Sequence, residues 1–569
     1  MLIFLVQCLL ETNFTPREKH LRPIQRLEFD VRCILLELAL EYLEYSSMSL
    51  SSEIVETTFG KVQGGFGESR DGRSFSKFLG IPYAKAQRFK PPTDPDSWSD
   101  VRNATKNGNA CPQIQPNLAK PSENSIFTSE DCLNLNVYTP KVPKLNQAKL
   151  MFPVIVWFHG GGGDTGKAED YDPEYYMDAD IVLVTFNARL GFLGYLNLGT
   201  QVASGNQRLK DEVAMLKWVQ ANIENFGGDP ARVTLNGADS GGAEVGYHLI
   251  SPRSSGLFAR VITQDGFVTM PFMFIRNPMY QAKNFGMQSE TTDAEFLKFG
   301  PSAEKGVACK SFIRENPYVS LRVGRIVNKV PWINVLSLNA GSFSYVYNIL
   351  QKEDQRQKLN ANLSNILPMY LDYEVIANDS NTVTQAIKEH YFGTEDINEK
   401  NARRFVDVIS DRQFIIPSLR FSALYDQLAP HYALIVKYVP ACSLSTIMEY
   451  NGEFEGGNFD LVSYQFPIRF FGYCGIDKNS SDYQVSKNTI QLLASFAENG
   501  KPTKTWGVNE EYPRYYSSED LPLSFAIERD GQMHPHFLSE KYIIRFGFWA
   551  KLHEKELASE YENYTENEF

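Results

Sequence analysis

The feature that most constrains the fold is a short glycine-rich turn between an apolar strand and a helix. The apolar run is residues 232–235, the turn occupies residues 236–243, and a helical run follows over residues 244–250. Where a strand turns this sharply into a helix, the residue at the tip takes a strained backbone conformation. Its neighbours two places before and after must be small, because the strand and the helix pass close together there. The sequence therefore predicts a turn that presents one side chain at the end of a strand.

The glycines decide which residue occupies the tip of this turn. Gly237 and Gly241 lie two places before and after Asp239, which makes Asp239 the favoured tip residue. With Ser240 at the tip, one framing position would be Ala238, which suits a close approach less well than glycine does. Turn chemistry therefore favours the register that places an aspartate at the tip.

Two apolar runs predict strands that are buried on both faces. They are residues 153–158 and 181–186, in which almost every side chain is apolar. A run with helical spacing over residues 210–226 separates the second of them from the turn. Strands that alternate with helices favour the α/β class, with a large, mostly parallel twisted central sheet and helices on both faces.

Composition and charge narrow the classes of partner. The 569-residue chain is 43% hydrophobic and has a formal net charge of −12. This charge argues against a nucleic-acid partner. No run of about 20 apolar residues predicts a transmembrane anchor, and the seven cysteines show no spacing typical of a metal site. We therefore expect no nucleic acid, no transmembrane anchor, no metal and no cofactor.

The first 52 residues form a segment of their own. Residues 1–10 resemble the core of a short signal peptide, but they lack a basic start and a small-residue cleavage site. The alternatives are a genuine leader, which implies secretion, and a wrongly assigned start, with translation from Met48 and a cytoplasmic product. In both cases we expect residues 1–52 to be poorly ordered, residues 53–553 to form one domain and residues 554–569 to form an acidic tail.

Five motifs along the chain carry a resemblance to a known family. They are Glu130–Asn136, His159–Gly163, Asn187–Gly191, Phe226–Pro230 and Ser255–Arg260. Together they closely resemble the carboxylesterase type-B family, which contains the cholinesterases, and the details are most similar to insect α-esterases. The resemblance covers most of the chain. It implies an α/β-hydrolase fold whose members hydrolyse carboxylic esters with a triad of serine, glutamate and histidine.

The resemblance also locates the three triad positions, and none of them keeps its chemistry. The tip, where the family has serine, is Asp239. The glutamate position lies in the loop after the apolar run 330–335 and is Ala340. The histidine position precedes an acidic residue and an apolar segment and is Asn458. The catalytic residue is missing at three positions, each located independently by its own flanking residues. The triad is therefore degenerate, which implies that the scaffold is retained for a purpose other than hydrolysis.

The same resemblance implies an oxyanion hole near the tip. Its backbone N–H donors would come from Gly161 and Gly162 in the glycine loop and from Ser240 directly after the tip. Such donors bind a carbonyl or anion oxygen. With aspartate at the tip, we expect the carboxylate of Asp239 to occupy the hole itself as a self-inhibiting cap.

Structural features of the scaffold are implied as well. By resemblance, two cysteines form a disulfide bond near the mouth of the active-site pocket, and two charged pairs form buried salt bridges that support the fold. The residues are Cys111 with Cys132 for the disulfide bond, and Arg88 with Glu130 and Arg189 with Asp211 for the salt bridges.

The sequence leaves three hypotheses for the function. The first is a catalytically inactive esterase-fold protein that binds or sequesters a small hydrophobic ester-like ligand, or binds a protein partner. The second is an active carboxylic-ester hydrolase with a non-standard triad, in which Ser240 is the nucleophile. The third treats Asp239 as a single-turnover nucleophile, because Asn458 cannot activate the water that would release a covalent intermediate. A fluorophosphonate label on Ser240 would separate the second hypothesis from the first.

Overall fold

A computed structural model gives the conformation of most of the chain. It describes residues 53–113, 128–144, 149–288, 299–304, 311–342, 351–373, 379–441, 443, 455–467, 475–502, 523–537 and 541–552. From Ile54 onward the described residues belong to one compact unit. The predictions for the extension over residues 1–52 and for the acidic tail over residues 554–569 lie outside the described residues.

The described strands form a small sheet and a large one. In chain order they are β1 (Ile54–Thr57), β2 (Gly60–Gln63), β3 (Gly65–Glu68), β4 (Ser74–Pro82), β5 (Arg102–Asn103), β6 (Asn134–Thr139), β7 (Phe152–Phe158), β8 (Val182–Phe186), β9 (Gly228–Ala238), β10 (Arg260–Gln264), β11 (Trp332–Ser337), β12 (His431–Val436), β13 (Leu523–Ile527) and β14 (Met533–Phe537). Strands β1, β2 and β5 form the small sheet, and the large one has the order β3-β4-β6-β8-β7-β9-β10-β11-β12-β13-β14. In this order, the neighbouring strands from β8 through β7 to β13 pair in parallel. The strands at both edges, β3, β4 and β6 at one and β14 at the other, pair antiparallel with their neighbours.

Helices connect the strands of the large sheet. They are α1 (Gly191–Tyr195), α2 (Gln207–Asn222), α3 (Ser240–Ile250), α4 (Pro278–Gln288), α5 (Pro317–Arg322), α6 (Glu353–Ala361), α7 (Leu363–Tyr370), α8 (Ser380–Phe392), α9 (Arg403–Ile409), α10 (Ile416–Tyr425), α11 (Asp460–Ser463) and α12 (Ser481–Asn499), with a π-helical segment over Ser410–Ile415 and helical residues over 541–552. None of the helices in the described ranges is long and apolar enough to cross a membrane.

The large sheet separates two apolar cores. Along β7, Val154 and Val156 pack into one core, whereas Ile155 and Trp157 pack into the other. This alternation follows from the two-residue period of a strand, which sends successive side chains to opposite faces. Helix α3 contributes to the first core and α12 to the second, so helices cover both faces of the sheet. The predicted fold class is confirmed.

The predicted elements correspond closely to the observed ones. The apolar runs over residues 153–158 and 181–186 are β7 and β8, and every residue of β8 is buried. The predicted helix over residues 210–226 is α2 followed by a short 3-10 turn over Ile223–Phe226. Gly227 ends that turn with a φ of 88°, a conformation that glycine adopts without a steric penalty.

The disulfide bond between Cys111 and Cys132 is confirmed. Their Cα atoms lie 5.0 Å apart, within the range that a disulfide spans. Both residues are buried in the first core, at 1% and 0% exposure. The bond closes a loop with a sequence separation of 21 residues. It therefore ties Cys111 to Cys132, two residues before the start of β6.

Replacing both cysteines, Cys111→Ser and Cys132→Ser, is expected to lower the free energy of unfolding by about 3 kcal/mol. The estimate follows from the chain entropy that a loop of about 20 residues gains in the unfolded state. Urea denaturation with and without dithiothreitol measures it. The wild type should lose stability on reduction while the double variant should not respond. Equal midpoints for wild type and variant under oxidising conditions would contradict the expectation.

The two expected salt bridges differ in burial. Arg189 donates from Nε to Asp211 Oδ2 at 2.8 Å and from Nη2 to Oδ1 at 2.6 Å, and the two side chains are 6% and 0% exposed. Arg88 also contacts Glu130, but these side chains are 62% and 41% exposed. The expectation of a buried pair is therefore wrong for Arg88 and Glu130. Water screens their attraction, so this pair contributes little to stability.

Candidate functional site

The glycine-rich turn places Asp239 at its tip. Strand β9 ends at Ala238 and helix α3 begins at Ser240, so Asp239 alone connects the two elements. Its backbone has φ 54° and ψ −124°, which is a strained conformation for a residue with a side chain. The N–H of Asp239 donates to the carbonyl of Gln264 at 2.9 Å, which ties the tip to the neighbouring strand β10.

Close backbone contacts explain the two framing glycines. A Cβ atom added to Gly237 would lie 2.4 Å from the carbonyl oxygen of Gly241. A Cβ atom added to Gly241 would lie 2.2 Å from the carbonyl oxygen of Phe158 in β7. Both distances are far below van der Waals contact, so strand and helix can approach this closely only with glycine at both positions.

Ser240 lies in the first turn of α3 and faces inward. Its exposure is 0%, and its Oγ atom has no hydrogen-bond partner among the described residues. In a serine hydrolase, the nucleophilic hydroxyl must reach the substrate and must donate to a base. The hydroxyl of Ser240 has neither property here.

The glycine loop after β7 holds the carboxylate of Asp239. The backbone N–H groups of Gly161 and Gly162 both donate to Asp239 Oδ2, at 3.1 and 3.2 Å. The two glycines have φ values of 112° and 67°, the left-handed region in which glycine is favoured. The amide donors of the glycine loop therefore bind an acidic side chain of the protein itself.

The other two triad positions lie in loops that contact each other. Ala340 follows β11 and is 0% exposed, and Asn458 is 5% exposed. The loops meet through Asn339, whose N–H donates to the carbonyl of Gly456 at 3.0 Å. Asn339 Oδ1 also accepts from the N–H of Glu455 at 2.8 Å. Asn458 Oδ1 has no hydrogen-bond partner within the described ranges.

The loop of Asn458 also reaches the glycine-rich turn. A Cβ atom added to Gly160 would lie 2.6 Å from Phe459 Cζ and 3.0 Å from Asp239 Cβ. Phe459 follows Asn458 directly and has a φ of 71°. The turn with Asp239, the glycine loop and the segment with Asn458 therefore meet at the carboxyl ends of the parallel strands, the usual place of a ligand site in such sheets.

A buried amide network fixes the segment that carries Asn458. Gln465 Nε2 donates to Gln264 Oε1 at 2.8 Å, and Gln264 Nε2 donates to Asn236 Oδ1 at 2.7 Å. The hydroxyl of Tyr176 donates to Gln465 Oε1 at 2.7 Å. Asn236 belongs to β9 and Gln264 to β10, so the segment is anchored to the two strands beside the turn.

Sequence reasoning missed two buried acids next to these loops. Asp265 is 3% exposed and accepts from the N–H and the hydroxyl of Ser337 at 2.6 and 2.7 Å. Burial raises its pKa to about 7, and the negative charge of Asp239 adds to the effect. Asp460 is 1% exposed and accepts from the N–H of Gly457 at 2.6 Å. Burial raises the pKa of Asp460 well above its usual value. The Asp-Gly pair that directly follows β10, beside the glycine-rich turn, is the signal that could have identified Asp265.

The nearby histidines are neutral and bound elsewhere. His159 Nδ1 lies 2.8 Å from the carbonyl oxygen of Gly160, and His248 Nδ1 lies 2.6 Å from Ser254 Oγ. Burial lowers the pKa of each histidine to about 3. In the part of the chain that the structure describes, no group of three or more His, Cys, Asp or Glu side chains is arranged to hold a metal ion.

Comparison with known proteins shows which family this sequence belongs to. The carboxylesterase family matches residues 51–293 and 282–543 of the chain. Esterase E4 of Myzus persicae is 33% identical over 491 residues, which cover 79% of this chain and 86% of that protein. Juvenile hormone esterase of Tribolium castaneum is 31% identical over 583 residues, which cover 91% and 97%.

A solved structure shows that the fold is shared as well. The crystal structure of juvenile hormone esterase from Manduca sexta, with OTFP covalently attached, superposes with a TM-score of 0.76. It is 22% identical and covers 89% of this chain and 100% of that chain. At that identity the likeness concerns the fold, whereas the family match and the relatives above concern the sequence. The protein is a member of the carboxylesterase family with an α/β-hydrolase fold.

Proposed function

We propose that this protein keeps the carboxylesterase scaffold but does not turn over esters, and that it binds a ligand where its relatives carry out catalysis. The observation that carries the proposal is the carboxylate of Asp239 on the amides of Gly161 and Gly162. Ester hydrolysis needs those donors for the oxygen that becomes negative in the transition state. Here a negative oxygen already occupies them, and it repels a second one.

The remaining triad positions support the same proposal. Hydrolysis needs a base that takes the proton of the nucleophile and a carboxylate that orients this base. The side-chain amide of Asn458 does not accept a proton near neutral pH, and the methyl group of Ala340 cannot orient a base. Three separate requirements of the reaction are thus unmet at the positions where the family supplies them.

An active hydrolase remains the second candidate, because several relatives are named as esterases. In that mechanism Ser240 would be the nucleophile. Two observations argue against this mechanism. Ser240 is fully buried, and its Oγ atom has no hydrogen-bond partner among the described residues. A shift of the turn by one residue would also bring Ala238 into a framing position, where the close approach favours glycine.

The proposed ligand is a small hydrophobic ester-like molecule, with a protein partner as the alternative. The half-buried ring of Tyr171 supports the hydrophobic ligand, because it stacks 6.4 Å from the ring of His159 at the start of the glycine loop. A Cβ atom added to Gly162 would meet no described atom within 4 Å, so there is space beside the loop.

An esterase assay with a matched variant tests the proposal. Wild-type protein should hydrolyse p-nitrophenyl butyrate no faster than buffer and should not react with a fluorophosphonate probe. The triple variant Asp239→Ser, Ala340→Glu, Asn458→His releases the amide donors and supplies the triad. We expect it to exceed the wild type by at least about 100-fold, the usual effect of one oxyanion donor. Wild-type turnover, or a label on Ser240, would show that the proposal is wrong.

A further inference from the structure

We propose that a second cavity, on one face of α2, binds a small aromatic carboxylate. This α2 cavity has a volume of about 400 Å³, a size typical of small-molecule sites. It lies between α2, the turn after β1, the loop over residues 91–94 and Arg253. None of its lining residues belongs to the glycine-rich turn, to the glycine loop or to the segments of Ala340 and Asn458. The inference therefore does not depend on whether the protein turns over esters.

One face of α2 forms a side of the cavity. Six residues of this helix line it in the pattern i, i+3, i+4, i+7, i+8 and i+11, which places them on a single face. Two of them, Ala214 and Ala221, carry only a methyl group, so the helix leaves space where a longer side chain would fill it. Phe59, Pro91 and Pro92 add apolar surface to the lining. The six residues of α2 are Lys210, Val213, Ala214, Lys217, Trp218 and Ala221.

Positive side chains outnumber negative ones in the lining. Lys210, Lys217 and Arg253 are its basic residues, and Asp94 is its single acid. Lys217 is exposed, and its ammonium group has no ion-pair partner among the described residues. The whole chain has a formal net charge of −12. A local excess of positive charge thus departs from the average of the molecule and favours an anion as the ligand.

Lys210 contributes charge to the cavity and not a contact. Its Nζ atom donates to Ser204 Oγ at 3.0 Å and to the carbonyl of Gly205 at 2.7 Å, and it lies 2.9 Å from Glu304 Oε2. Burial lowers the pKa of Lys210, and the positive charge of Arg253 adds to the effect. These two cations are therefore close enough to repel each other, and a bound anion would reduce that repulsion.

The indole N–H of Trp218 lacks an acceptor. Trp218 is 3% exposed, and its Nε1 atom has no hydrogen-bond partner among the described residues. An indole N–H can only donate, and buried donors in folded proteins are nearly always satisfied. Because Trp218 lines the cavity, an oxygen of a bound carboxylate can supply the acceptor. An ammonium ligand has no acceptor to offer, which is a second reason to assign an anion.

The lining also indicates the body of the ligand. Phe59, Tyr83 and Trp218 are aromatic, and flat rigid side chains favour stacking or edge contacts with a ring. The hydroxyl of Tyr83 donates to the carbonyl of Asn187 at 2.7 Å, so this residue offers its ring. One unpaired ammonium group and one unpaired N–H match a single carboxylate. The class of ligand is therefore a monocarboxylate on one or two fused rings.

Isothermal titration of the full chain with 2-naphthoate tests the class of ligand. We expect saturable binding at one site with a Kd of about 1 mM or tighter, as is usual for a molecule of this size. The amide 2-naphthamide has the same rings without the charge and should bind at least fivefold more weakly. The cation 2-naphthylmethylammonium should bind more weakly still. Equal affinities for the acid and the amide would overturn the assignment of an anion, and a lack of any binding would overturn the proposal.

Three variants locate the binding. Ala214→Leu places a larger side chain in the cavity and should weaken 2-naphthoate at least tenfold. Trp218→Phe keeps an aromatic ring but removes the N–H donor, and it should weaken the acid at least fivefold. Lys217→Met should weaken the acid at least threefold and leave the amide unchanged, a split that a merely structural change would not produce.

The matched control is Lys400→Met, which removes an exposed lysine outside the cavity and should bind 2-naphthoate as the wild type does. Lys217 is exposed as well, so Lys217→Met should fold even if a substitution on the buried side of α2 does not, and urea denaturation checks each variant. Wild-type affinity for 2-naphthoate in folded Lys217→Met or Ala214→Leu protein would show that the acid does not bind in the α2 cavity.

Discussion

Gly266→Ala is expected to lower the free energy of unfolding by more than about 4 kcal/mol, or to prevent folding, which is among the largest effects of single substitutions. An added Cβ atom would lie 1.8 Å from the carbonyl oxygen of Asp239 and 3.0 Å from the Cα atom of Gly242. Neither neighbour can rotate away, because both belong to the backbone. The carbonyl of Asp239 also accepts the N–H of Ala243 at 3.1 Å within the first turn of α3.

Circular dichroism and urea denaturation of the purified variant measure this effect. Gly547→Ala is the matched control, because Gly547 lies in the helical residues 541–552 and an added Cβ atom there meets no atom within 4 Å. Alanine is favoured over glycine in a helix by about 1 kcal/mol, so this variant should be as stable as the wild type or more stable. A Gly266→Ala protein with wild-type stability would mean that the glycine-rich turn is not packed as described.

The turn could be predicted from the sequence because its constraint is local. Gly237 and Gly241 lie within a few residues of Asp239, so their spacing alone indicates the tip, and the observed backbone of Asp239 has the strained conformation expected there. The two buried strands were predictable for a similar reason, since a continuous apolar run has few alternatives in an α/β protein.

Features that depend on distant residues could not be predicted in the same way. The burial of a salt bridge depends on what covers it, and the resemblance implied a buried pair where Arg88 and Glu130 are exposed. Asp265 and Ser337 are 72 residues apart, and their contact exists only because β10 and β11 are neighbours in the sheet. Its raised pKa is likewise a consequence of burial, which a single sequence does not show directly.

A buried network of one arginine and two glutamates beside α3 also depends on residues that are distant in the sequence. Arg208 donates to both carboxylate oxygens of Glu244, at 2.5 and 3.1 Å, and its Nε atom lies 3.3 Å from Glu212 Oε1. All three side chains are 0% exposed. The hydroxyl of Tyr195 donates to Glu244 at 2.6 Å, and His248 Nε2 lies 3.1 Å from Glu212. One guanidinium thus serves two buried carboxylates on α2 and α3.

Arg208→Met is expected to lower the free energy of unfolding by about 3–5 kcal/mol at pH 8.5, where Glu212 and Glu244 are ionised, the usual result of removing one partner of a buried ion pair. Methionine is apolar and unbranched, so it fills part of the space of the arginine stem but leaves Glu212 and Glu244 without a cation. The matched control is Arg88→Met, which removes an exposed partner of Glu130. Water screens that pair, so the control should be nearly as stable as the wild type.

The loss should also depend on pH with a definite sign. Burial raises the pKa of Glu212 and Glu244 from 4.5 to about 8 in the folded protein. A folded-state pKa above the unfolded value means that these groups stabilise the fold most below pH 4.5 and that this contribution declines as the pH rises to about 8. Arg208 lowers both values, so without it the decline should extend to higher pH. Urea denaturation at pH 5, 7 and 8.5 should therefore show the smallest difference between Arg208→Met and wild type at pH 5. A difference that is constant over this range would indicate lost packing and not an uncompensated pair of acids.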